Sequence, residues 1–131
     1  MSSVSKEDQD SVLPVDSVDD IRALPREADT VLVNRLDDAK AQALSRLRQL
    51  RVLYQDGSPF GLTDVGMEAL GGLATLEKLD LEWAQGITDR GLVALRQLRR
   101  LRWLDLGFCP GISDAAVLEL RRALPDVEIE R

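Results

Sequence analysis

The stretch LRWLDLGFCPGISDAAVLEL (101–120) repeats LEKLDLEWAQGITDRGLVAL (76–95) 25 residues earlier, position for position. In each copy Leu-x-x-Leu-x-Leu sets two leucines at i and i+2, which point to one side of a short strand. Thr88-Asp89 and Ser113-Asp114 then offer an N-cap hydroxyl and a first-turn carboxylate to the free N–H groups of a following helix. Leu92, Leu95 and Leu98 continue at three-residue spacing, an apolar helix stripe that faces the strand. Moving outward, LRVLYQ (50–55) precedes GLTDVGMEAL (61–70), and Gly71-Gly72 marks the end of that helix. A fainter copy, ADTVLV (28–33), precedes a helical stretch over 37–47, and LPDVEI (124–129) closes the series. Successive copies start 22, 26, 25 and 23 residues apart, the variation falling in turns.

The block LxxLxLxxC-P-G-I-S-D at 101–114 resembles leucine-rich repeat proteins of the cysteine-containing subtype, whose repeats read roughly LxxLxLxxCxxITDxGLxxL. The likeness covers about residues 28–129. Cys109 fills the subtype's Asn/Cys position, while Ala84, Ser58 and Leu36 depart from it, and Gln55 stands where Leu81 and Leu106 stand. The resemblance implies an α/β, right-handed solenoid with about five short parallel strands on a concave face and helices on the convex one. It also implies a non-catalytic protein-binding role for that face. No F-box precedes the repeats in this sequence, which weakens any carry-over of the ubiquitin-ligase role of eukaryotic relatives. The ending RRALPDVEIE (121–130) resembles small bacterial arrays, in keeping with fourteen Arg to three Lys.

A single strand–helix unit cannot cover its own apolar side, so the copies are expected to stack into one domain over 13–131. Residues 16–24 read as an N-terminal cap helix, with Val18, Ile21 and Leu24 on one side, and residues 1–12 as a flexible tail.

Composition removes whole classes of chemistry. With no histidine and one cysteine, the chain cannot build a Ser-His-Asp triad, a Cys-His dyad or a disulfide framework. No phosphate-binding or dinucleotide glycine motif is present, and no cofactor is expected. The net charge of −6 argues against nucleic acid. No apolar run reaches membrane-spanning length, and the chain reads as cytoplasmic.

The strand positions facing away from the helices hold the candidate contacts. Counted from the first leucine of each copy, the third column runs Thr30, Val52, Lys78, Trp103 and Asp126, and the fifth Leu32, Tyr54, Asp80, Asp105 and Glu128. The seventh contains Glu82, with Trp83 and Phe108 just past the strands. Like charges side by side on adjacent strands destabilise a sheet, so the Asp80–Asp105–Glu128 row suggests use rather than accident. Tyr54, Lys78, Asp80, Glu82, Trp83, Trp103, Asp105, Phe108 and Glu128 are therefore the expected partner-binding residues. Carboxylates would steer a partner with a basic patch or peptide, and exposed Tyr54 and Trp103 would anchor it. A metal centre is not expected, because parallel side chains from a sheet spread rather than converge. Arg46, Arg48, Arg51, Arg96, Arg99, Arg100, Arg102, Arg121 and Arg122 gather at helix ends, where they complement the dipole and form a basic rim. The last strand has no cap after it, so a homodimer through this C-terminal edge is the alternative assembly.

Overall fold

Six strands alternate with five α-helices along residues 13–131, the residues that the computed structural model describes; the segment 1–12, expected as a flexible tail, lies outside them. The order is β1 (Leu13–Val15), α1 (Val18–Arg22), β2 (Thr30–Asn34), α2 (Asp38–Leu44), β3 (Val52–Asp56), α3 (Asp64–Leu70) and β4 (Lys78–Asp80). There follow α4 (Asp89–Val93) with a 3₁₀ turn over Ala94–Gln97, β5 (Trp103–Asp105), α5 (Asp114–Ala123) and β6 (Glu128–Glu130). All neighbouring strands are parallel, and the sheet order is the chain order. This is the α/β solenoid the repeats imply, with one strand more than the five expected. The extra one is β1, a three-residue strand in register with Val31–Val33 whose Leu-Pro-Val lacks the Leu-x-x-Leu-x-Leu signature.

The core forms as the spacing requires. Val31, Leu53, Leu79, Leu104 and Ile129 stack in register across five strands and are buried. Leu50, Leu76 and Leu101 close the layer on one side, and Leu44, Leu70, Leu95 and Leu120 cover it from the helices. Cys109 lies in this layer with its thiol donating to Leu81 O at 3.2 Å; burial pushes its pKa up, which suits an inert packing residue.

The helix starts are tied to each other by a ladder of carboxylates. Asp38 accepts the Thr63 N–H at 2.7 Å and its hydroxyl at 2.6 Å. Asp64 does the same for Thr88 (2.8 and 2.6 Å), and Asp89 for Ser113 (2.8 and 2.7 Å). Each first-turn Asp thus satisfies the cap of the next repeat, while Thr63, Thr88 and Ser113 cap their own helices. The ladder ends at Asp114, which pairs with Arg131 at 3.0 Å; that guanidinium also bonds Ile112 O at 3.0 Å. At its first two rungs the ladder accounts for the glycine of the T-D-x-G motif, whereas the third, Asp89 to Ser113, accommodates Ala116 at that position. A Cβ on Gly66 or Gly91 would run into the carboxylate of Asp38 or Asp64. Gly91→Ala is therefore expected to destabilise the fold by about 1–3 kcal/mol. Urea unfolding checks this, with Gly72→Ala, whose Cβ would meet only Ala69 O at 3.5 Å, as the control.

Candidate functional site

On the face of the sheet that carries no helix, β4 and β5 place Asp80 directly beside Asp105, and β5 places Asp105 beside Glu130. The row was expected to end in Glu128; that residue instead lies two positions back, beside Trp103. The spacing from helix to strand is the cause: Val52, Lys78, Trp103 and Glu128 each stand 14 residues after the first residue of the preceding helix, and Leu124, expected as the first strand leucine, is the buried C-cap of α5. The carboxylate missed at the end of the row is Glu130. The constant offset of 14 residues from the first-turn Asp of a helix to the next strand, seen at 38–52, 64–78 and 89–103, is the signal that finds it.

The side chains converge rather than spread, contrary to the expectation for parallel strands. Asp80 Oδ1 accepts the Glu82 N–H at 3.0 Å, and Asp105 Oδ1 accepts the Gly107 N–H at 2.8 Å. These matching turns, in which a carboxylate bonds its own backbone two residues on, fold both aspartates back along their strands. Oxygens of Asp80, Glu82 and Asp105 consequently lie within 4.8 Å of one another. Burial is the main force on all three, raising their pKa values; for Asp80 it acts with the charges of Asp105 and Glu82 to reach about 7. Gln55 reaches the same place from the core side, donating to Glu82 O at 2.9 Å.

Two expected anchors are not at the surface. Tyr54 and Trp103 are each only 2% exposed. Both lie on the helix-free side, away from the leucine core, but side chains on neighbouring strands cover them there. Val52 and Tyr54 form a small second cluster with Leu32. Trp103 stands between Lys78 and Glu128 in register, and its indole N–H donates to Glu130 Oε1 at 3.1 Å. Lys78 itself is half-buried and Glu128 exposed.

The exposed aromatics are Trp83 and Phe108, at 42% and 64%. Their rings stack with centroids 4.1 Å apart and planes at 10°. Each occupies the turn just past its strand, with φ of +69° and +57°. The same turn holds Arg35 at +52° and Gly57 at +73° after β2 and β3. The left-handed backbone lets the turn residue bond forward to the next repeat, Arg35 N–H to Asp56 O and Trp83 N–H to Gly107 O, both at 2.8 Å. Only glycine takes that conformation freely; a bulky residue costs about 1–2 kcal/mol. Two large rings are thus held in strained turns, facing solvent, beside the carboxylate cluster. A cavity of ≈ 440 Å³ adjoins them, lined also by Gln85, Pro110 and Arg131.

No helix among the described residues is long and apolar enough to cross a membrane. No curated protein matches the chain. A family model described as Leucine Rich repeat matches residues 72–95; such domains generally mediate protein–protein interaction and are typically non-catalytic. The matched segment spans β4, its turn and α4, and the unit before it and the unit after it carry the same Ser/Thr cap, carboxylate ladder and parallel strand register: the chain carries a leucine-rich repeat at 72–95 within an array of like units.

Proposed function

We propose that the chain is a cytoplasmic adaptor, inhibitor or assembly factor, of the cysteine-containing repeat subtype and of bacterial type, that binds a basic segment of a partner protein without catalysis. The observation that carries this reading is the placement of Asp80, Glu82, Asp105 and Glu130 next to the exposed Trp83–Phe108 stack. Clustered carboxylates raised in pKa by burial gain from a cation that replaces lost water, and a flat aromatic pair suits the methylene stem and guanidinium of arginine. Large aromatics beside complementary charge are the usual centres of binding energy. Tyr54 and Trp103 act from behind, bracing the sheet and orienting Glu130, while Lys78 and Glu128 flank the contact. The C-terminal edge is the lesser alternative for assembly through a second copy, because Arg131 already occupies the end of the ladder.

The test is affinity purification with the intact chain from its source cell, with the Glu82→Gln/Asp105→Asn variant in parallel. The partner retained by the parent is expected to carry a basic segment, to elute with salt, and to bind the variant at least about tenfold more weakly. A partner held equally by both would remove the acidic cluster from the contact.

A further inference from the structure

Far from the acidic cluster, the N-terminal repeats form a second concavity of ≈ 1020 Å³ at the ends of α1 and α2, lined by Arg22, Leu24, Pro25, Arg26, Arg46, Arg48 and Gln49. Four of its seven lining residues are arginines and none is acidic, on a chain of net charge −6. Arginines at helix ends ordinarily offset the dipole, but here one residue does that work for α1. Arg46 donates to Ile21 O, Arg22 O and Leu24 O, each at 2.7 Å, and so neutralises the carbonyls that would repel an anion. Arg22, Arg26 and Arg48 are left with no carboxylate in ion-pair range among the described residues. On the later repeats the rim is different: Arg51, Arg96 and Arg102 pair with Glu77, Glu119 and Asp126 at 3.5–3.6 Å, and Arg122 with Glu119 at 2.8 Å. Arg99 and Arg100 likewise have no ion pair among the described residues, but they do not line this cavity.

We propose that this pocket is a binding site for a phosphorylated ligand, in which Arg22, Arg26 and Arg48 form forked contacts to phosphoryl oxygens around the fixed guanidinium of Arg46. A guanidinium's planar fork matches phosphate oxygens in pairs, and several arginines converging on one concavity suit an anion carrying more than one charge. Leu24 and Pro25 provide an apolar patch for the body of such a ligand.

Calorimetric titration of the intact chain with inorganic tripolyphosphate at about 0.1 M salt tests this. Saturable one-to-one binding is expected, weakened at least about tenfold by Arg22→Gln/Arg26→Gln/Arg48→Gln and unaltered by Arg99→Gln/Arg100→Gln. Co-sedimentation with phosphatidylserine vesicles separates the sources of phosphate. Vesicle binding with the same arginine dependence, in the absence of tripolyphosphate binding, assigns the pocket to a lipid headgroup. No binding in either arm, or equal weakening by both sets of substitutions, overturns the proposal.

Discussion

Asp80→Asn is expected to stabilise the protein at neutral pH, by roughly 2–3 kcal/mol or 5–10 °C in Tm. In the folded chain Asp80 is largely removed from water and faces Asp105 and Glu82, which holds its pKa at about 7 against an ordinary 3.8. The folded state therefore keeps a proton that the unfolded chain gives up. That proton's contribution is fully present below about pH 4, is lost as pH rises to about 7, and changes no further above that. Asparagine retains an oxygen for the Glu82 N–H but carries no charge to bury. Denaturant melts from pH 5 to 8 should show the parent losing stability as pH rises and the variant losing much less. A slope of the same sign persists in the variant, because Glu82 and Asp105 are also raised by burial. An unchanged Tm together with an unchanged slope would place Asp80 in solvent and remove the strained cluster from the account.

Trp83→Gly/Phe108→Gly should separate stability from recognition more sharply. Both positions have the left-handed backbone that Gly57 occupies without strain, so glycine relieves about 1–2 kcal/mol at each. Against this stands the loss of the ring stack, about 0.5–1.5 kcal/mol, and of partly covered apolar surface. The net change in Tm should be within a few degrees of zero. Partner affinity should fall by about 2–4 kcal/mol, which is roughly 30- to 1000-fold. A variant that binds normally but melts much earlier would show that the rings serve the turn and not a partner.

These outcomes rest on features that were unequally visible in the sequence. The two nearly superimposable copies at 76–95 and 101–120 were enough for strand, cap and helix, because leucine spacing and Ser/Thr-Asp pairs act through local geometry. The third repeat was readable despite Gln55, whose polar end finds a backbone carbonyl in the next turn. Strand β1 was hidden, since three residues including a proline carry no period. The register of β6 is not legible from leucine spacing, because α5 ends at a leucine that also fits a strand pattern.

Within the candidate site the sequence marked Asp80, Asp105, Glu82, Trp83 and Phe108 but not how they meet. Whether a strand residue is exposed depends on what its neighbours in other repeats cover, which is why Tyr54 and Trp103 were expected outside and are found buried. The convergence of carboxylates depends on turns closed by backbone N–H groups, and the stacking of Trp83 on Phe108 on two left-handed residues one repeat apart.

What the sequence determined alone was therefore everything repeated at short range: the parallel sheet, the inward leucines and the capped helices. What only the tertiary structure decided was everything set between repeats, namely which carboxylates crowd together, which aromatics reach solvent and which arginines gather around one concavity. The physical reason is that period and propensity act within a turn or two of chain. Burial, charge repulsion and ring stacking depend instead on distances across strands, which no single repeat contains.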